Sequence, residues 1–381
     1  MKCTGVNVFT GDPIEVTFGE TITAVDEIID PGSGLEIYIA PGFVDLQVNG
    51  FAGADYNAPD APPDSIAHSL DAMFATGVTR LFPTVITGSE ERITGSLRNL
   101  LKARNTLAHG RAIEGFHIEG PHISPEDGPR GAHPRRWVRP PDVNEFQLWQ
   151  DAAEGHVRLV TLAAEWPAAP RYIEHLTGAG VVVSIGHTAA NSAQIRDCVS
   201  AGATMSTHLG NGAHAIMQRH PNYIWDQLAE DRLTASFIVD GIHLGEAFLR
   251  TALRAKGLDH AVLITDAVMP AQCAPGPYML GEVEVELLPP GDRVVLRGGT
   301  RLAGSALSMH QAVAHAMRMT GISLREAITL ATTNAARAGR VAGRQRPFSP
   351  GERADFVRFE VQDGRLQILD TWMSGRRVFA A

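Results

Sequence analysis

Four ionisable residues stand where a short apolar run gives out: Glu119 after 113–118, His187 after 181–185, His208 after 204–207 and Asp266 after 262–265. In a parallel α/β fold such positions are strand exits, where side chains meet a ligand rather than the core. Two imidazoles and one carboxylate make a hydrolytic zinc shell with room for water, and the other carboxylate is then available as a base. Taken singly, each residue has a plainer explanation, a polar cap on a strand or an N-cap on the next helix. Their joint occurrence at strand exits points to a metal centre.

The stretch 116–133, FHIEGPHISPEDGPRGAH, carries the sharpest signal. Its strand ends in Glu119-Gly120-Pro121, which breaks pairing, and a carboxylate left at that point needs a cation or another polar partner. His117 is offset by two from Glu119 and shares its face of the strand, which allows a supporting contact; His122 is not expected to join it. His310 and His315 lie on a helical stretch and are expected to be surface or hydrogen-bonded positions. His214 follows His208 in a loop expected to face substrate.

The elements that must position these residues alternate. Strands are expected at 44–48, 78–86, 113–118, 157–163, 181–185, 204–207, 233–239 and 262–265. Helices are expected at 64–76, 90–108, 143–153, 168–176, 191–200, 246–256, 307–319 and 324–331. The spacing suits parallel crossovers. Both ends of the chain read as β only, with runs at 14–18, 21–25 and 35–39 and again at 356–359, 366–369 and 377–379. The expected architecture is a (β/α)8 TIM-like barrel, residues 41–345, with a small accessory β-sandwich domain built from 1–40 and 346–381. A hairpin turning at Pro290-Gly291-Asp292 is expected as an insertion near 278–300. A doubly wound open sheet is the alternative, weakened by the lack of a GxGxxG after an early strand.

Bulk properties narrow the function. A length of 381 residues and a hydrophobic content of 44% suit one barrel with insertions. The net charge of −9 argues against a nucleic-acid or anionic-membrane surface, so any anion must be recognised locally. Cys3, Cys198 and Cys273 form no CxxC pair, which argues against a disulfide framework or a cysteine metal site. With no apolar run of membrane-spanning length, a soluble cytoplasmic protein is expected.

Several segments occur in order: PGFVDLQVNGFAG (41–53), HIEGPHI…GAH (117–133), GHT (186–188), THLGNGA (207–213), DGIH (240–243), TDA (265–267) and LAGS (302–305). ATTNAA (331–336) and GERAD (351–355) follow. Together they resemble the N-acetylglucosamine-6-phosphate deacetylase family of the amidohydrolase superfamily. The resemblance implies that Glu119, His187 and His208 ligate one divalent metal ion, Zn2+. Gln47 then stands where other amidohydrolases carry a His-x-His and helps position the water; a neutral amide there implies one metal rather than two. Asp266 is implied as general base and His133 as donor to the acetyl carbonyl. Asn211, Gly212, Arg219, His243, Ala303 and Gly304 are implied substrate-binding residues. Arg219 is expected to reach in from a neighbouring subunit, hence a homodimer. The implied reaction is hydrolysis of the N-acetyl amide of an amino sugar, N-acetylglucosamine 6-phosphate giving glucosamine 6-phosphate and acetate. In it, Asp266 takes a proton from the attacking water and returns it to the leaving amine.

The chain departs from the family pattern around the substrate. After His208 the usual Asn-Ala-Met becomes Asn211-Gly212-Ala213-His214, and the usual Arg-Glu-Pro-Gly becomes Arg219-His220-Pro221-Asn222. Tyr223 and Trp225 add aromatic surface suited to a sugar ring or to a core. Glu126 and Asp127 in the turn 124–131 would repel a phosphate that they faced. These differences bear on the substrate, leaving an unphosphorylated amino sugar or an N-acyl-amino acid as alternatives. A catalytically silent sugar-binding homologue would have no need of Asp266.

Overall fold

The computed structural model describes residues 1–29, 37–344 and 348–381. Eight parallel strands follow one another around a barrel: β1 (Phe43–Val48), β2 (Val78–Ile86), β3 (Phe116–Glu119), β4 (Val157–Leu162), β5 (Val182–Ile185), β6 (Met205–Ser206), β7 (Thr234–Ile238) and β8 (Ala261–Ile264). Each pairs with its sequence neighbours. A parallel bridge between Val48 and Ala267 and a hydrogen bond from the Asp266 amide to the Gln47 carbonyl (2.9 Å) close the ring. These strands are buried on both faces, so they read as mainly apolar runs, except β1, where Asp45 and Gln47 alternate with apolar residues.

The intervening helices begin where the sequence offers a cap. Ser89 accepts from the Arg92 amide at the start of Glu90–Thr106, and Asn191 forms a capping box with Gln194 on Ser192–Ser200. Two helices, Tyr223–Ala229 and Thr333–Ala338, were not expected; Asn222 caps the first by accepting from the Ile224 and Trp225 amides.

The chain ends build a second sheet. Lys2–Asn7, Pro13–Phe18, Ile22–Glu27, Tyr38–Pro41, Phe356–Gln362, Arg365–Met373 and Arg376–Ala380 form one seven-stranded, mainly antiparallel sheet. Its pairing is continuous, yet it curls over an apolar core of its own. The Phe18 and Trp372 rings lie 5.2 Å apart although several strands separate them in the sheet. The two layers of the expected sandwich are thus parts of one sheet. Lys2–Asn7 was not anticipated, and the expected run at 35–39 begins at Leu35 and Glu36, which lie outside the described residues, as does the expected boundary at 345/346. Barrel and terminal sheet meet at Asp355, which accepts from Arg80 Nε of β2 (2.7 Å).

The insertion has three antiparallel strands rather than two: Gly276–Leu280, Val283–Leu288 and Arg293–Leu296. It is pinned at its first turn, where the Gly281 amide donates to Asp55 Oδ2 (2.8 Å) and Glu282 accepts from Trp137 Nε1 (2.6 Å). Among the described residues no helix is long and apolar enough to cross a membrane.

Candidate metal centre and active site

At the C-terminal rim of the barrel, the exits of β3, β5, β6 and β8 bring Glu119, His187, His208 and Asp266 into one cavity of about 320 Å³. His208 Nε2 lies 2.9 Å from Glu119 Oε1 and 3.1 Å from His187 Nε2, and His187 Nε2 lies 3.4 Å from the same carboxylate oxygen. The edges of a tetrahedron around a zinc ion with ligands at about 2.0–2.1 Å are roughly 3.3 Å long, so these three atoms match the donor spacing of such a shell. His133 also joins Glu119 and His187 in a cluster able to hold a metal. Its Nε2, however, is 4.0 Å from Glu119 Oε2, farther than His208 is from Oε1, so the Glu119–His187–His208 set fits a compact shell better.

Backbone strain accompanies the donors. His187, His208 and Asp266 adopt φ of +49°, +30° and +49°, a region that costs a residue with a Cβ on the order of 1–3 kcal/mol. All three are strand-exit residues turned sharply into the cavity. The His187 Nδ1 hydrogen is donated to the Pro129 carbonyl (2.6 Å), leaving Nε2 as the lone-pair side. His208 Nδ1 is buried with no partner among the described residues.

The inward face of β1 holds the base. Asp45, Gln47 and Asn49 alternate onto one side. Asp45 accepts from the Thr265 hydroxyl (2.5 Å), Gln47 Nε2 donates to Glu119 Oε1 (2.9 Å) and Asp266 Oδ1 (3.2 Å), and Asn49 Nδ2 donates to Asp266 Oδ1 (2.6 Å). Burial, and next the negative charge of Glu119, push the Asp266 carboxyl up to about 6. Burial would raise Glu119 too, but its close contacts with the His187 and His208 rings outweigh it and hold Glu119 well below its ordinary value. Two neighbouring carboxyl groups are therefore driven apart, one fixed as an anion and the other brought near the range of a working base.

The remaining expected residues divide. His133, Asn211, Gly212, His243, Ala303 and Gly304 all line the cavity. Asp240 orients His243 by accepting from its Nδ1 (2.6 Å). Gln47 lies behind the cavity wall, bridging the two carboxylates. Arg219 is exposed on the loop and does not line its own chain's cavity. His117 does not touch Glu119; its ring bridges Thr161 (2.7 Å) and Thr84 (3.3 Å) inside the barrel. His122 packs between Trp149 and Tyr172. His310 and His315 are hydrogen-bonded, the latter to the Val239 carbonyl (3.0 Å). His214 contacts Tyr223 (3.0 Å) and Glu126 (3.2 Å), joining the substrate-side loop to the turn 124–131. Sequence reasoning missed Asn49 and Asp45. Their one sequence signal was a spacing of two residues on either side of Gln47.

A closed (β/α)8 barrel carrying two histidines, a ligand carboxylate and a second buried carboxylate at one rim defines a metal-dependent hydrolase site. The amidohydrolase family model matches residues 38–378. The N-acetylglucosamine-6-phosphate deacetylase of Bos taurus is 35% identical over 379 residues, 97% of this chain and 89% of that protein. The crystal structure of N-acetyl-D-glucosamine-6-phosphate deacetylase from Mycobacterium smegmatis superposes with a TM-score of 0.89 at 30% identity, covering 100% of both chains. A mutant of that enzyme in complex with N-acetyl-D-glucosamine-6-phosphate gives 0.87 at 29% identity, covering 97% of this chain and 95% of that one. This chain belongs to the amidohydrolases and, within them, to the N-acetylglucosamine-6-phosphate deacetylase family.

Proposed function

We propose that this protein hydrolyses the N-acetyl group of N-acetylglucosamine 6-phosphate, releasing acetate and glucosamine 6-phosphate, in the cytoplasm and with a single zinc ion. The observation that carries the reading is the pairing of a tetrahedrally spaced Glu119–His187–His208 set with a separate buried carboxylate, Asp266, in a chain aligned nearly end to end with deacetylases of that sugar phosphate. A divalent cation held there supplies Lewis acidity, polarising the amide oxygen and making water nucleophilic near neutral pH.

The chain's own groups do the rest. Asp266, fixed by Asn49 and Gln47, accepts the proton of the attacking water and passes it to the amine as the C–N bond breaks. His133 donates to the acetyl oxygen as charge develops there, a contribution worth roughly 3–4 kcal/mol for one well-placed donor. Asn211, Gly212, Ala303 and Gly304 line the space assigned to the sugar, and His243, which also lines it, is assigned to the phosphate. Arg219, exposed beside Ile216, suits delivery into the cavity of a second copy, so the working unit is a homodimer. The two chain ends form a supporting unit beneath the catalytic barrel.

Turnover of N-acetylglucosamine with and without its 6-phosphate, by enzyme loaded with zinc, tests the reading; a clear preference for the phosphate ester is expected. A second reading, an unphosphorylated N-acyl substrate, is favoured by one observation: Arg301 is the one guanidinium lining the cavity of a single chain among the described residues. Equal or better turnover of the unphosphorylated sugar would select it.

A further inference from the structure

His133 and His187 meet edge to face in the cavity wall with ring centroids 4.5 Å apart, yet their outer nitrogens meet opposite kinds of partner. His187 Nδ1 meets a carbonyl, which can only accept. His133 Nδ1 meets the Thr87 hydroxyl at 2.9 Å, which can donate. We propose that Thr87 is a positioning residue that sets the tautomer of His133: its hydroxyl donates to Nδ1, placing the ring hydrogen on Nε2, so that His133 enters the site as a hydrogen-bond donor and not as a metal ligand.

Three observations support the direction of that bond. Thr87 is buried and its hydroxyl has no other hydrogen-bond partner among the described residues. If it accepted from Nδ1, its own hydrogen would be left unpaired inside the protein, at a cost of about 1–3 kcal/mol. His133 Nε2 lies 4.0 Å from Glu119 Oε2, and a hydrogen rather than a lone pair is favoured on the side facing an anion. The His133 ring is itself buried, and a neutral imidazole carries hydrogen on only one nitrogen. The fold makes room for this hydroxyl. Thr87 follows β2 directly, and a Cβ on Gly120 would come within 2.2 Å of its Oγ1. The residue after the ligand Glu119 is thus kept small where Thr87 must stand.

The catalytic consequence rests on the deacetylase reading, whereas the tautomer does not. Nitrogen NMR of ring-labelled histidine in metal-free protein, with His133→Asn to assign the signal, reads the tautomer directly. Wild type and Thr87→Ser are expected to carry the hydrogen on Nε2, and Thr87→Val to shift it toward Nδ1. With zinc bound, Thr87→Val is expected to lower kcat by about 10–100-fold at nearly unchanged KM and unchanged metal content, and Thr87→Ser to restore it. An unprotonated Nε2 in wild type, or loss of bound metal in Thr87→Val with its fold intact, would overturn the proposal. The wild-type spectrum decides even if Thr87→Val fails to fold or no substrate is turned over.

Discussion

His187 and Pro129 are joined by a 2.6 Å hydrogen bond from the imidazole Nδ1 to the backbone carbonyl. The bond gives the turn 124–131 a task its sequence does not advertise. Its acids are already engaged, Asp127 by Arg130 and Glu126 by His214, so the turn is braced from both sides. A braced carbonyl orients the ring and keeps the lone pair on the opposite nitrogen, the one facing Glu119 and His208.

Crowding His187 should therefore weaken metal binding. Gly212 has φ of +55° and a Cβ there would stand 2.7 Å from His187 Nδ1. Gly212→Ala is expected to lower metal affinity by about 10–100-fold in competition with a chelator. Gly298→Ala, at φ +72° with nothing within 4 Å, serves as the control and should keep full affinity. Equal affinities in the two variants would deny the ring's position any part in holding the ion.

Asp266→Asn should separate binding from chemistry. Gln47 Nε2 and Asn49 Nδ2 both donate to Oδ1, and an asparagine can present its oxygen to both. The geometry and the metal content should survive while the proton acceptor is lost, so kcat is expected to fall by about 10²–10⁴-fold. Turnover near that of wild type would remove Asp266 from the mechanism.

Arg219 offers a test of the proposed dimer. Arg219→Ala and Asp266→Asn should each be nearly inactive as homodimers. In a mixed dimer one site regains both an intact Asp266 and an Arg219 from the other chain. Co-refolded equal mixtures should recover up to about a quarter of wild-type activity, the statistical share of such sites in a two-fold dimer. No recovery, with mixed dimers shown by mass, would place Arg219 outside the partner's site.

The barrel was legible because strands buried on both faces leave mainly apolar runs, as at Ala261–Ile264. The chemistry was legible where an ionisable residue closed such a run. Lys2–Asn7 escaped because it is only partly buried and lacks a strong alternation. Gly276–Leu280 escaped because its Gly-Pro start reads as a turn. Nothing in a one-dimensional pattern shows that His187, His208 and Asp266 carry positive φ, since only the closed barrel fixes their backbone. Asn49 and Asp45 were missed for another reason: neutral amides and buried acids gain meaning only once β8 is beside β1.

Asp355 should govern acid stability. It is fully buried, accepts from Arg80 Nε (2.7 Å) and Arg353 Nε (2.6 Å), and lies 3.4 Å from Arg344 Nη2. Burial alone would raise its pKa, but the guanidiniums of Arg353, Arg80 and Arg344 outweigh that and hold it at about 2, below the ordinary 3.8. A depressed folded-state value stabilises the fold above the unfolded value, and the contribution is lost as pH falls from about 4 through 2; the difference corresponds to about 2 kcal/mol. Asp355→Asn leaves buried guanidiniums short of their counter-charge and should cost on the order of 3–5 kcal/mol at neutral pH. Denaturant melts across pH 2 to 7 would check both points. Wild type should lose stability over the acid window, and Asp355→Asn should start lower and lose less there. A variant as stable as wild type at neutral pH would show that the Asp355 carboxylate has no part in holding the barrel to the terminal sheet.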